Sequence, residues 1–259
     1  MNKCVLITGG CRNSGLGIAR KFAKEGYDVF LTSRSGEDAA ATADALTREF
    51  GVFCHGYGFS PVVDHVVNEA AIAEMFDEIR RGGRLLDVLV LCAANLGIRQ
   101  QIFVNPISDF SDVVMMNVVF NYAMAQAAAV QMREKGKGSI VFVNSNTAYR
   151  AIPDRIAYSA SKGGVLSLSR ALALDLGKYH IRSNCVLPGM IKTDRWENNI
   201  NDCKNAPSNY TPLGDIADFS DIANAVWYFA DDGSKNTTGA ELVVDGGNMI
   251  QLYPIIPKE

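Results

Sequence analysis

The chain is predicted to be an α/β protein, a doubly wound parallel sheet with helices on both faces. Three observations lead there. Short runs such as residues 4–8, 28–32 and 87–92 are apolar at successive positions rather than alternate ones, which marks strands buried on both faces. These runs alternate with segments of helical period, the order of a parallel sheet covered on both sides. The first run leads into a glycine-rich turn and then a helix, and such sheets bind ligands at the carboxyl ends of their strands.

Each element follows from a local signal. Residues 4–8 form the first strand, and residues 16–25 a helix that stops at Gly26. Residues 28–32 form the second strand, residues 38–50 a helix ended by Gly51, and residues 52–57 the third strand. A helix over 70–80 precedes the buried strand 87–92. An uncharged helix around 117–132 and a strand at 139–143 follow. Then come a helix over 158–176, a strand at 183–187, a helix over 221–230 and a last strand at 241–244. Glycines after the periodic segments supply the helix stops. With no linker, repeat or low-complexity tract, residues 1–259 read as one domain.

Composition narrows the function classes. The chain is 48% hydrophobic and 20% charged, enough to bury a large core. A net charge of −3 gives no reason to expect a nucleic acid partner. The one basic cluster, around Arg133, Lys135 and Lys137, reads as a solvated helix end. Six scattered cysteines lack any Cys-x-x-Cys, and the three histidines lack metal-ligand spacing, so reduced thiols and no metal are expected. The stretch from Val113 to Met132 has no formal charge, but Asn117, Asn121, Gln126 and Gln131 interrupt it, favouring a buried helix over a membrane span. The reduced thiols make the expected location cytoplasmic, and no signal peptide is visible ahead of the first apolar strand.

The chemistry centres on Tyr158 and Lys162. Residues four apart on a helix lie one above the other on one face. A cation beside a phenol favours the phenolate, so the pair suits proton transfer. Holding a phenol poised near pH 7, against a reference pKa of about 10, takes roughly 4 kcal/mol of differential stabilisation. Lys162 supplies part of it, and a positively charged nicotinamide ring would add to it.

A site for such a cofactor is visible at the first strand. Thr8, Gly9, Arg12, Asn13, Gly15, Leu16 and Gly17 span a glycine-rich turn opening a helix. Glycines allow the backbone to approach a pyrophosphate, and the helix N-terminus favours the anion. Arg34 directly follows the second strand, where a cation accommodates the 2′-phosphate of NADP and an acid would bind the ribose hydroxyl of NAD. Position 33 is Ser and no acid occurs before Glu37, while Arg12 offers a second cation. NADP is therefore preferred over NAD.

With these residues in hand, the chain resembles the short-chain dehydrogenase/reductase family over nearly its full length. The resemblance rests on a Thr-Gly-rich turn, Ser145 thirteen residues before Tyr158, and Tyr-x-x-x-Lys ending at Lys162. Asn117 resembles the family's helix asparagine, Pro188-Gly189 followed by Ile191 and Thr193 its cofactor-contacting turn, and Thr238–Gly247 its final strand. The resemblance implies a Rossmann-type fold with Tyr158 as general acid/base. Lys162 would lower the tyrosine's pKa and hold the nicotinamide ribose. Ser145 would bond the substrate oxygen, and Asn117 would hold a water in a proton relay. These roles match the needs of an alkoxide developing during hydride transfer.

The chain departs from the family pattern in several places. Five residues, Gly10 to Ser14, separate Thr-Gly from Gly-x-Gly where the family has three, and Arg20 replaces the third glycine counted from Gly15. The longer spacer resembles the divergent enoyl reductases. Those place six residues between Tyr and Lys, and Arg155 occupies that position here. The family's Asn-Asn-Ala-Gly is replaced by Leu91, Cys92, Ala93 and Ala94, which keeps small residues at the last two positions, with Ala93 on the cofactor side, and loses the polar contribution, for which Asn95 is the candidate substitute. The acid beside the adenine would be Asp64, although His65 fits equally well, in a segment from Gly56 to Val67 longer than expected.

The expected reaction is NAD(P)-dependent interconversion of a carbonyl and a secondary alcohol. Residues 190–213 are the expected substrate lid, with Arg195 and Trp196 on it and Tyr149 nearby. Its polar residues suggest a small polar substrate such as a sugar or polyol derivative. Helices 117–132 and 158–176 carry few charges and need a cover opposite the sheet; the family resemblance implies that a second subunit supplies it, in a homodimer or homotetramer. Other readings are an epimerase or dehydratase on the same fold, or a dinucleotide-sensing protein. A serine hydrolase is disfavoured because Asn144-Ser145-Asn146 lacks the nucleophile-elbow glycines.

Overall fold

Seven strands form one parallel sheet: β1 (Cys4–Thr8), β2 (Asp28–Ser33), β3 (Cys54–Gly58), β6 (Val88–Leu91), β7 (Gly138–Val143), β8 (Ile181–Pro188) and β9 (Glu241–Val244). A small separate hairpin, β4 (Val62–Val63) and β5 (Val66–Val67), lies between β3 and β6 in the chain. The sheet order is β3-β2-β1-β6-β7-β8-β9, and every neighbouring pair is parallel. The order reverses between β1 and β6, so a crevice opens beyond Thr8 and Leu91, where such sheets bind ligands. The computed structural model describes residues 2–193 and 209–253.

Alternation along each strand divides the core. Leu6, Phe30, Leu89, Ile140, Phe142 and Leu187 pack on one face. There they meet α3 (Glu69–Arg81), the long helix formed by α4 (Ile107–Val114) and α5 (Phe120–Lys135), and α6 (Ile156–Leu176). Val5, Ile7, Leu31, Val90, Val141 and Val186 pack on the other face, against α1 (Asn13–Lys24), α2 (Gly36–Phe50) and α7 (Phe219–Ala230). The central strands β1, β2, β6, β7 and β8 are therefore buried and largely apolar on both sides, while the edge strands β3 and β9 are only half-buried.

Three differences from the sequence reading bear on the site. Helix α1 begins at Asn13, not residue 16, because Asn13 adopts a left-handed φ of 48° that lets the longer spacer turn directly into the helix. The helix expected around 117–132 extends from Ile107 to Lys135, 29 residues, with charges only near its two ends, and is long and apolar enough by composition to cross a membrane. Val113, Phe120, Met124, Ala128 and Met132 bury one face of it in the core. Its middle turn, Met115–Val119, is a π turn centred on Asn117, a distortion often associated with functional positions. Third, the unforeseen β4–β5 hairpin accounts for the length of the 56–67 segment. Asp64 and His65 both have positive φ, 49° and 64°, as a tight two-residue hairpin turn demands.

Candidate active site

A continuous cleft of about 1400 Å³ runs along the carboxyl ends of the strands. Arg34 and Asp38 line one end, Gly9 to Gly15 and Ala93 the middle, and Ser145, Tyr158, Lys162, Pro188, Gly189 and Ile191 the other end.

The middle of the cleft is built on Thr8. Its fully buried side-chain oxygen accepts from the amides of Cys92 at 3.0 Å and Ala93 at 3.1 Å, joining the ends of β1 and β6. Thr8 thus supports the turn from behind and does not line the cleft. A Cβ at position 15 would stand 2.0 Å from the Gly9 carbonyl oxygen, so only glycine permits the turn to close as it does. Gly17 backs onto Phe219 of α7, and with Leu16 it lies outside the cleft lining. Asn13, Ser14 and Gly15 form the first turn of α1 at the cleft, where backbone N–H groups lack helical partners. This donor set fits the pyrophosphate of a dinucleotide.

At the reactive end, Ser145 follows β7. Its Oγ accepts from Thr147 N at 3.2 Å and from Thr147 Oγ1 at 2.9 Å. With both acceptor directions occupied, the serine proton is left to donate into the cleft. Lys162 is buried, and its Nζ donates to the Val143 carbonyl at 3.3 Å and lies 5.4 Å from the centre of the Tyr158 ring. Asn144 Nδ2 donates to the Lys162 carbonyl at 3.1 Å, tying β7 to α6. Cys92 lines the cleft nearby, and burial pushes its thiol up to about 11 despite the opposing Lys162 charge, so it stays neutral.

Asn117 does not line the cleft; its amide sits behind it. Nδ2 donates to the Asn95 carbonyl at 2.8 Å and to Ser161 Oγ at 2.9 Å, and Ser161 donates to the Tyr158 carbonyl at 2.8 Å. Asn121 Nδ2 donates to the Asn117 carbonyl at 2.7 Å, while its own Oδ1 is buried without a partner among the described residues. Such an atom calls for an ordered water.

At the far end, Arg34 lines the cleft and forms no ion pair among the described residues, whereas Arg12 pairs with Asp38 at 2.8 Å. Asp64 and His65 both line the cleft from the hairpin turn. His65 Nδ1 lies 2.5 Å from Asp112 Oδ1 on α4, which raises the imidazole pKa.

The remaining candidates fall elsewhere. Tyr149 lies outside the cleft lining; its hydroxyl donates to Glu241, and Arg170 bonds both. That position corrects the expectation of a substrate-side Tyr149. Thr193 is half-buried and also outside the lining. Arg195 and Trp196 lie outside the described residues, as does most of the 190–213 lid. Thr147 went unnoticed in the sequence, although a hydroxyl residue two after the serine offered a signal. Asn95, the sequence's candidate to replace the polar contribution lost at Leu91–Ala94, bonds Asn117 through its backbone N–H and carbonyl.

A family model described as enoyl-(acyl carrier protein) reductase matches residues 11–248. The 3-oxoacyl-[acyl-carrier-protein] reductase FabG of Chlamydia trachomatis is 31% identical over 249 residues, covering 95% of this chain and 97% of that protein. The L-rhamnose 1-dehydrogenase (NAD(P)(+)) of Azotobacter vinelandii is 31% identical over 269 residues, covering 97% and 98%. Among solved structures, ElxO with NADP bound superposes with a TM-score of 0.86 at 27% identity, covering 97% of this chain and all of that one.

Proposed function

The chain belongs to the short-chain dehydrogenase/reductase family, and from that membership we propose how its cleft works. It is an NAD(P)-dependent oxidoreductase that interconverts a carbonyl and an alcohol. One observation carries this reading: Ser145, Tyr158 and Lys162 converge at one end of a cleft whose middle is the glycine turn. When bound, the nicotinamide cofactor supplies or accepts the hydride. Ser145, its acceptor sites filled by Thr147, donates to the substrate oxygen and fixes its position. The Tyr158 hydroxyl delivers the proton to that oxygen in reduction and takes it back in oxidation. The buried Lys162 side chain lies beside the Tyr158 ring, its Nζ 5.4 Å from the ring centre. Asn117 and Ser161 hold the backbone behind Tyr158.

The Tyr-Lys spacing favours this reaction over enoyl reduction. Only three residues separate Tyr158 from Lys162, and the position of an enoyl-reductase tyrosine holds Arg155. We infer a preference for NADP, supported by Arg34, which lines the end of the cleft beyond β2. The polarity of the substrate is proposed from both sides of the site. The 190–213 sequence is rich in polar side chains, while the described wall offers Leu96 and Met116 to an apolar flank. Assembly as a dimer or tetramer is supported by exposed Tyr122, Val130 and Leu174 on α5 and α6. A cytoplasmic location is supported by five unpaired cysteines among the described residues.

The direct test follows NADPH and NADH absorbance with 3-oxoacyl thioesters, diketones and sugars, using wild type and Tyr158→Phe. Wild type should turn over at least one carbonyl. The variant should lose about 10²- to 10⁴-fold in kcat while binding cofactor normally. Undiminished turnover by the variant would refute the assigned role of Tyr158.

A further inference from the structure

Residues 95–100 leave the end of β6 along the cleft, with Asn95 and Leu96 in its lining. The long helix holds this segment from one side. Asn117 bonds the Asn95 peptide, and Asp109 Oδ1 accepts from Ile98 N at 3.1 Å. Gly97 has a φ of 64°, and a Cβ there would come within 2.8 Å of Val113 Cγ2, so the backbone is pressed against α4. The start of the catalytic helix holds it from the other side. Arg155 Nη1 donates to the carbonyls of Leu96 and Gly97, both at 2.7 Å, and Gln100 N donates to the Asp154 carbonyl at 3.1 Å.

Arg155 precedes α6 directly, three residues before Tyr158 and seven before Lys162, a spacing that repeats on one helix side. Both bonds come from one nitrogen, whose two N–H groups are fixed in the plane of a permanently charged guanidinium and so reach two successive carbonyls. Leu96 and Ile98 remain 45% and 46% exposed, leaving apolar surface on the segment for a ligand to cover.

We propose that Arg155 is a positioning residue that fixes residues 95–98 as the substrate-side wall of the cleft, and that Leu96 on this wall determines specificity. The anchoring rests on the hydrogen bonds alone. The specificity role rests on the carbonyl-reductase reading above. The wall is then set relative to Tyr158 by a bond from the tyrosine's own helix, so a substrate flank and the proton donor share one frame of reference. A loop held only at β6 would not couple them.

The test uses the full chain with Arg155→Met, Arg155→Lys and Leu96→Ala. Amide exchange by mass spectrometry should rise about tenfold or more at residues 96–100 in Arg155→Met, and less in Arg155→Lys. NADPH affinity, read by fluorescence, should stay within about twofold of wild type. On carbonyls that wild type accepts, Arg155→Met should raise KM more than it lowers kcat, with Arg155→Lys partly restoring it. Leu96→Ala should leave exchange unchanged and alter the kcat/KM ratio of two accepted carbonyls by about fivefold. Unchanged exchange in Arg155→Met would overturn the anchoring, as would a rise spread equally over β1 and its turn. Unaltered ratios in Leu96→Ala would overturn the specificity role. Failure of wild type on every carbonyl would instead refute the reaction and its specificity residue, while exchange would still decide the anchoring.

Discussion

The carboxamide of Asn117 grips the Asn95 peptide with both its polar atoms. Asn95 N–H donates to Oδ1 at 2.7 Å, and Nδ2 donates to the Asn95 carbonyl at 2.8 Å. A third bond, to Ser161 Oγ, carries the connection to the helix of Tyr158. Asn95 thereby supplies, through its backbone, polar contacts that the Leu91–Ala94 segment lacks in its side chains. The π turn places Asn117 where one side chain joins β6, the long helix and α6.

Replacing Asn117 with Ala should therefore cost both stability and rate. Each buried backbone group left without a partner costs about 1–3 kcal/mol. Thermal unfolding should show a lower Tm, and kcat should fall more than the affinity for NADPH. A variant with wild-type Tm and kcat would contradict the bracing role.

Thr147→Val removes the Oγ1 donor to Ser145 while leaving the amide donor and the side-chain shape. The serine hydroxyl is then free to turn away from the cleft. The loss of one hydrogen bond of about 1 kcal/mol corresponds to roughly fivefold in kcat/KM. Steady-state kinetics against Ser145→Ala would measure it, and the double variant should lose no more than Ser145→Ala alone.

Arg34→Ala should weaken NADPH far more than NADH, because only NADPH brings a 2′-phosphate to this cation, which forms no ion pair among the described residues. The expected loss is about tenfold or more for NADPH and under about twofold for NADH, from charge-assisted bonds of about 1.5–3 kcal/mol. Fluorescence titration with both cofactors reads this directly, and equal losses would remove the NADP preference.

His65 ties the hairpin turn to α4 through Asp112, and that carboxylate raises the imidazole pKa. The neighbouring Asp64 pulls in the same direction. A raised folded-state pKa means the contribution is fully present below the unfolded value of about 6.5 and is lost as pH climbs through the folded value. The Tm difference between wild type and His65→Ala should thus be larger at about pH 6 than at about pH 9. The pair is exposed, so the effect is small. A difference that grows with pH would show that the ion pair does not form.

The strands and the proton-transfer residues were readable from the chain because their signals are local. Apolar runs identify strands buried on both faces, and a four-residue interval places Tyr158 and Lys162 on one helix side whatever surrounds them. Arg155, Asn95 and Thr8 act through backbone carbonyls and amides distant in the chain, which leave no pattern in side-chain identity. The hairpin at Asp64-His65 and the left-handed Asn13 depend on φ values that residue type permits but does not impose. Tyr149 shows the converse: it was expected beside the substrate lid, and partners from β9 and α6 hold its hydroxyl outside the cleft lining. Local periodicity and spacing were enough to identify the reaction, while long-range hydrogen bonds to the backbone decided how the walls of the site are held around it.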